Sequence, residues 1–525
     1  MGGILKSNLS LIPQNPPRFK PQQILDVHVS WKLLILMIKT NVLQHPILVA
    51  ALGLILFISF IANYGYSFTN NYNTLLSHPY FLDSFSMIDA DASTAETYTD
   101  DSSAQDTART IGFSNVTNLT DNPNDSVYPQ IAASENNVYA VWEGSTTPDL
   151  SNNNYDIYFK KSPNWGESFA GHSNTSATDT TTEVLNLSNN PGFSNHPQIA
   201  AYDGIVHVAW IDDSLGNEEI LLARSIDNGT TFSEAINLSN TTNTSSRNLE
   251  LSAFDKNIYA VWLDEDEKGN GIILFRASND GGETFGNPIT IARNVTTSND
   301  FTFPKVAAYG NNVYVAWNVA DGWSTRQGEG EIITDLLYVK SSDQGNTFSH
   351  PVKLNNNGEK VGEAQLAAYN NAVYVVWASS PYKHVTSNLF FTKSMDNGNT
   401  FSNATEVKND SFVNPSNVEV VVVWNNNSKG NVEQILSTSP SSQQAQQQTQ
   451  VYIVGQIPQS EQNEDIFLVS SSDNGDTFSQ TTSNLSNNSE FSECPSIATS
   501  ENNIYVIWQD RTPGNNEALF TKTKV

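Results

Sequence analysis

The sequence predicts an all-β fold of seven four-stranded antiparallel sheets repeated radially, preceded by one N-terminal transmembrane helix. Three observations predict it. A phrase of the type N-N-V-Y-x-x-W recurs through residues 112–525. Most copies are followed by a second, turn-forming phrase of fixed composition, set between two short strand-like runs. Residues 40–82 hold no Asp, Glu, Lys or Arg and enclose a continuous apolar run.

Composition narrows the function classes. The 525 residues carry 26 Lys+Arg against 55 Asp+Glu, a net charge of -29. That balance excludes nucleic acid as a partner, because phosphate binding needs cations to displace counterions. Only 15% of residues are charged and 10% are aromatic, so the chain has the bulk for a packed core rather than the composition of a solvated one. The single cysteine, Cys494, excludes an intramolecular disulfide framework and multi-cysteine metal sites. No H-E-x-x-H, G-x-S-x-G or phosphate-loop motif occurs.

The N-terminal element comes from the run Pro46 to Ala62, which reaches the length that crosses the hydrocarbon layer as a helix. Tyr64 and Tyr66 stand where rings meet headgroups. Before the span lie Lys6, Arg18, Lys20, Lys32 and Lys39 against one acid, Asp26; after it the next charge is Asp83 and the chain turns acidic. The positive-inside rule therefore predicts a single-pass protein of the cell membrane, N-terminus cytoplasmic and the remainder extracytoplasmic. A cleaved signal peptide is the alternative, and it requires an unusually long positive region. The predicted organisation is a cytoplasmic segment over 1–45 with an interfacial helix, a transmembrane helix over 46–66, an acidic Ser/Thr-rich stalk over 67–111, and the repeat domain over 112–525.

The repeat phrase ends at Trp142, Trp210, Trp262, Trp317, Trp377 and Trp508, and a seventh copy, QVYIVGQ, has Gly455 in place of the ring. The step before Gly455 is lengthened by the polar run SPSSQQAQQQTQ at 439–450. Each unit reads as four strands: a small-residue strand such as QIAAY, the Trp-bearing strand, a third such as IYFKKS or ILLARS, and a closing one such as AINLS. Period-two alternation of β-branched and aromatic residues between Asn/Asp/Gly turns is the signal for antiparallel sheet. Four-stranded units repeated radially make a β-propeller, here with seven blades. The last unit stops after its third strand, while FSNVTNLT at 113–120 matches the fourth strands elsewhere. The N-terminal strand is thus expected to complete the last blade and leave no open sheet edge.

The turn phrase reads S-x-D-x-G-x-T-F. Its copies are Ser225–Asp227–Gly229–Phe232, Ser278–Asp280–Gly282–Phe285, Ser341–Asp343–Gly345–Phe348, Ser394–Asp396–Gly398–Phe401 and Ser471–Asp473–Gly475–Phe478; SPNWGESF at 162–169 is a degenerate copy with Asn164 for the aspartate. The carboxylate suits capping of backbone N–H groups across a tight turn, and glycine suits a backbone that a Cβ would oppose. With these residues the chain resembles the Asp-box, or BNR-repeat, family of sialidase-like propellers, as a membrane-anchored prokaryotic or archaeal surface member. The resemblance covers most of 112–525 and implies that the boxes are structural and lie away from the ligand face.

The resemblance also implies what a sialidase site needs: three arginines for the sugar carboxylate, a tyrosine–glutamate pair and an acid/base aspartate. Arg247, Arg293, Arg326 and Arg511 are the arginines available to the ligand face, and Trp323 is an aromatic on its longest loop. Arg224 and Arg276 precede Asp boxes and belong to the other end. The family's R-I-P tripeptide is absent, and the loops joining second to third strands are acidic, which repels an anionic sugar. Among them, Asp264 and Asp266 are weak candidates for Ca²⁺; no EF-hand spacing follows, and no other cofactor is expected. Frequent N-x-S/T triplets fit a surface glycoprotein. The expected function is a membrane-anchored module binding glycans or extracellular proteins. An exo-acting glycoside hydrolase of sialidase type and a structural component of the cell envelope remain the alternatives.

Overall fold

The computed structural model describes Gly112 to Lys524 apart from residues 147–153, 170–183, 267, 297–301, 321–333, 356–358, 382–386, 410–411, 413, 425–448 and 461–462. The predicted cytoplasmic segment 1–45, transmembrane helix 46–66 and stalk 67–111 lie outside the described residues, as do Trp323 and Arg326.

The described residues form seven four-stranded sheets, each antiparallel and each in simple first-to-fourth order from one edge to the other. The first strands are Ser126–Ser134, Ser194–Tyr202, Thr244–Phe254, Lys305–Tyr309, Glu359–Tyr369, Ser416–Trp424 and Ser492–Ser500. Each touches the first strand of both neighbouring blades, and Ser126–Ser134 meets Ser492–Ser500, so the seven inner edges form a closed ring. Small side chains such as Ala132, Ala200 and Ala307 let these strands crowd around the axis. The ring closes as the sequence predicts: Thr117–Asn118 is the outer strand of the last blade, with Thr117 opposite Phe520 and Asn118 opposite Leu519, and Phe113 bridges to Thr523.

The core lies between blades rather than within them. Trp210 packs on Tyr139, Val141 and Phe159 of blade one, and Trp262 packs on Ala209, Leu222 and Leu238 of blade two. A buried indole removes roughly 150–250 Å² from water, an upper-bound gain of about 4–6 kcal/mol at 25 cal/mol/Å² before ordering entropy. Three of these rings are also tethered. Trp210 Nε1 donates to Asp212 (3.0 Å), Trp262 Nε1 to Asp264 (2.8 Å) and Trp508 Nε1 to Asp510 (2.9 Å). The same aspartates accept Ser194, Ser246 and Ser492 hydroxyls from the first strands, tying strand one to strand two. Blade six has Gly455 instead of a tryptophan because Phe412 takes the space; a Cβ at Gly455 would sit 2.9 Å from the Phe412 Cζ.

The S-x-D-x-G-x-T-F turns fasten the blades that carry them to the ones before. Asp227 Oδ1 accepts the Thr230 and Thr231 N–H groups at 3.0 and 2.9 Å, and Ser225 Oγ accepts Gly229 N–H at 2.9 Å. Burial opposes ionisation of Asp227 slightly, but the donors of Thr231, Ser225 and Thr230 hold its carboxyl down at about 2. Gly229 has φ +71°, and a Cβ there would lie 2.6 Å from Phe159 of blade one. Phe232 stands edge-on to the same Phe159, centroids 4.8 Å apart. Lys161 reaches across to the Asn228 carbonyl (3.1 Å) and Thr230 hydroxyl (2.7 Å). Phe348 on Phe275, Phe401 on Tyr338 and Phe478 on Phe391 repeat the arrangement at later interfaces. Blade two offers Leu222 where its neighbours carry an aromatic, and Gly282 of the next turn meets His207 instead; the buried His207 Nε2 is 2.9 Å from the Gly281 carbonyl.

Candidate functional site

Antiparallel pairing puts the beginnings of first and third strands and the end of the second at one end of every blade. In blade three, Ser246 faces Asp264 there, while Phe254, Ile258 and Ser278 lie at the opposite end with the turns just described. The site therefore opens on the end away from the S-x-D-x-G-x-T-F turns.

A bulge makes it. The register of the first strand slips between Val127 and Gln130, Asn195 and Gln198, Arg247 and Glu250, Val361 and Ala364, Ser416 and Glu419, and Glu493 and Ser496. Five bulge residues are non-glycine with left-handed backbones: Tyr128 (φ 49°), His196 (φ 47°), Asn248 (φ 51°), Asn417 (φ 44°) and Cys494 (φ 50°). Such conformations cost of order 1–3 kcal/mol each and cluster where side chains must be aimed. Hydrogen bonds between blades hold them: Tyr128 N–H to Gln509 (3.3 Å), His196 N–H to Glu143 (3.1 Å) and Cys494 N–H to Gln456 (3.3 Å). Glu143 is buried, which pushes its carboxyl up to about 7 against the His196 N–H.

The bulges surround a central cup of about 560 Å³ to which all seven blades contribute. Its wall carries six side-chain amides, Gln130, Asn195, Gln198, Asn248, Gln365 and Asn417. The Gln198 and Gln365 amides make no hydrogen bond among the described residues, whereas Asn248 donates to the Thr302 carbonyl and Asn417 to Gln456. At the mouth, Tyr128 is 41% exposed and stacks on His196 with centroids 4.7 Å apart; Phe303 also lines the wall.

The cup's two cations among the described residues are each neutralised twice. Lys305 Nζ lies 2.8 Å from Glu250 and 2.5 Å from Glu363. Burial alone would depress this ammonium, but the two carboxylates outweigh it and hold it charged. Arg247 Nε lies 2.5 Å from Glu218, and its Nη1 lies 3.6 Å from Glu265. Glu419 is the remaining acid of the wall. One of its oxygens accepts the Ile497 N–H at 2.9 Å, the other takes no hydrogen bond among the described residues, and burial pushes its carboxyl up to about 8.

Of the residues that the sequence offered for a ligand face, Arg247 lines the cup. Arg511 lies outside it, over the Phe491 ring at 5.2 Å and donating to Asn516. Arg293 is on the outermost strand of blade three, bonded to Thr290. Arg276 is stapled to the Gly286 and Leu238 carbonyls. The Ca²⁺ candidates do not converge: Asp264 holds Trp262 and Ser246, while Asp266 caps its own loop through Lys268 and Asn270 N–H groups. Among the described residues no three His, Cys, Asp or Glu side chains form a metal-binding group. Cys494 lies on the cup wall, where burial pushes its thiol up to about 12.

The sequence reading missed the ring Gln130, Gln198, Glu250, Lys305, Gln365, Glu419 and Ser496, one residue per blade at the start of the small-residue run in the first strand. A polar residue at that inward position of the innermost strand was the available signal.

No family model matches the chain, and no curated protein does. Solved structures share its architecture. A Hadza microbial sialidase aligns at 11% identity over 71% of this chain and 74% of its own, with a TM-score of 0.41. An α-L-arabinofuranosidase of Fusarium graminearum in complex with arabinobiose aligns at 14% identity over 63% and 93%, TM-score 0.41. An ulvan lyase from a polysaccharide lyase family aligns at 12% identity over 76% and 93%, TM-score 0.46. These likenesses are of fold alone.

Proposed function

We propose that the chain is a glycan-binding propeller displayed outside the cell by the helix over 46–66, and that its central cup takes an uncharged sugar. The observation that carries this reading is the pair of unengaged amides, Gln198 and Gln365, within a wall of amides and beside the Tyr128–His196 stack. Amides donate to and accept from hydroxyls, and an exposed ring face packs on sugar C–H groups. A carboxylate sugar finds no such reception. Arg247 and Lys305 each already face two carboxylates, and Glu419 adds a further acid. Glycan-array binding by the full-length chain tests this. Neutral glycans should bind, and Gln198→Leu/Gln365→Leu should abolish the signal with the fold intact. Binding confined to sialylated or sulfated glycans, or untouched by the double substitution, overturns it.

Glu419 favours a second reading, glycoside hydrolysis. Its unbonded oxygen and its retention of a proton near neutrality suit a general acid, with Glu363, held by Lys305 on the same wall, as the second carboxyl that activates water. Release of nitrophenol from a panel of neutral nitrophenyl glycosides, lost in Glu419→Gln, supports it. Silence across the panel in a chain that still binds glycans removes it.

A further inference from the structure

A second cavity of about 790 Å³ opens at the same end of the molecule, between blades two and three. We propose that this groove is a second sugar subsite, so that the ligand is a neutral oligosaccharide running from the central cup outward over Arg247. The inference rests on the glycan reading of the cup.

Three observations lead to it. First, Arg247 lines both cavities. Its guanidinium is held from one side by Glu218 and from the other by Glu265, which makes it a fixed saddle between the two spaces. A planar, pinned guanidinium offers a face and N–H edges to a sugar lying across it.

Second, this blade junction lacks a filler present at two others. The loop from fourth to first strand reads NLSNNPGFS at 186–194 and NLSNNSEFS at 484–492, but NLSNTTNTSS at 237–246. Phe193 packs edge-on to Tyr155 at 5.5 Å and Phe491 lies under Arg511 at 5.2 Å. Between blades two and three, Thr244 and Ser245 stand where those rings would be, and the space stays open.

Third, the groove is polar and built. Glu219 accepts the Thr241 N–H at 2.9 Å and the Asn217 amide at 3.0 Å, and that amide also donates to the Thr244 carbonyl at 2.9 Å. Asn240 and Asn243 have φ of 50° and 127°. Hydroxyls and amides thus face the opening, with Leu215, 58% exposed, as an apolar patch at its edge.

The test uses the full-length chain from a host without N-glycosylation, because Asn240 and Asn243 begin N-x-S/T triplets on the groove's lip. Gluco-, galacto- and manno-oligosaccharides of one to five residues are titrated calorimetrically. Affinity should rise at least about tenfold from one residue to three. Thr242→Leu/Ser245→Leu, which puts branched hydrocarbon in place of two groove hydroxyls, should erase that rise and leave monosaccharide affinity unchanged. Affinity independent of length, or weakened equally at every length, overturns the groove and leaves the cup reading standing. Absence of binding at every length overturns both.

Discussion

Phe520, in the third strand of the last blade, stands edge-on to Phe169 of the first, with ring centroids 5.0 Å apart and planes at 72°. The contact joins residues from opposite ends of the domain and repeats the geometry of Phe232 on Phe159 at an ordinary interface. Lys522 completes it by donating to the Trp165 carbonyl at 2.9 Å. Closure therefore uses the same lock as the neighbour pairs in which an aromatic of the preceding blade meets the turn, and the degenerate turn with Asn164 still forms it, Asn164 Oδ1 accepting the Ser162 hydroxyl at 2.7 Å.

Removing the ring that closes the circle should cost what a core phenylalanine costs. Phe520→Ala is expected to lower unfolding free energy by about 3–5 kcal/mol. Denaturant titration checks the size, and hydrogen exchange should show the loss spreading to Thr117–Asn118, whose partner strand contains Phe520. A loss confined to the last blade's interior would separate the lock from closure.

How much of this was legible in the sequence follows from what repeats. Trp210, Trp262, Asp227, Gly229 and Phe232 do the same job in blade after blade, so their columns stand out. The outer strand borrowed from 113–120 was legible because it copies the other fourth strands. The cup was not, because its position varies in charge from blade to blade: Gln130, Glu250, Lys305 and Ser496 share a place and polarity but no single residue type. The bulges that aim Tyr128 and His196 inward also break the strand alternation on which pattern reading depends. Among the described residues, searching for arginines reached only Arg247.

The turn glycine is a sharp test of the lock between blades. Gly229→Ala places a methyl 2.6 Å from the Phe159 ring and forces alanine to φ +71°. Overpacking and the left-handed backbone together predict a loss of about 2–4 kcal/mol. Thermal unfolding of Gly229→Ala beside Gly216→Ala checks it, since Gly216 shares a positive φ (103°) with nothing near its missing Cβ. Equal losses in both would mean that backbone strain, not the blade contact, dominates.

Stability should peak in mild acid. Glu419, at about 8 in the fold against an ordinary 4.5, holds its proton more tightly when folded. Its contribution is complete below about pH 4.5 and is lost as pH rises through 8; Glu143, at about 7, acts in the same direction. Asp227, Asp343 and Asp396, each near 2 against an ordinary 3.8, contribute above that value and lose their effect as pH falls toward 2. The melting temperature is therefore expected to be highest at about pH 4–5 and to fall on both sides. Glu419→Gln should flatten the alkaline limb and leave the acid limb unchanged.

Lys305 predicts a pH-dependent penalty of its own. Lys305→Met leaves Glu250 and Glu363 facing each other without the shared ammonium. Breaking a buried pair costs about 3–5 kcal/mol, and the partial opening of the cup to water places this case at about 2–3. Glu250, whose carboxyl burial already pushes up, takes up a proton as pH falls, so the penalty should shrink between pH 8 and pH 4. A penalty constant across that range would show that lost packing, not unpaired charge, is responsible.

The exchange of Trp for Gly455 in blade six allows a double-mutant cycle on a natural substitution. Phe412 fills the space, touching the place where a Gly455 side chain would begin, with Val418 Cγ1 next at 3.1 Å. Phe412→Ala should empty it at a cost of about 3–5 kcal/mol, and Gly455→Trp should overfill it at about 1–3 kcal/mol or more. Combined, the new indole occupies the vacated volume, and the double variant should be more stable than the sum of the singles by about 0.5–3 kcal/mol. Because Val418 and Glu419 lie in the first strand of that blade and line the cup, the same cycle should report there: the Phe412→Ala chain should bind neutral glycans more weakly, and the double variant should recover. Additive stabilities with unchanged binding would mean that the ring of blade six packs independently of the wall it supports.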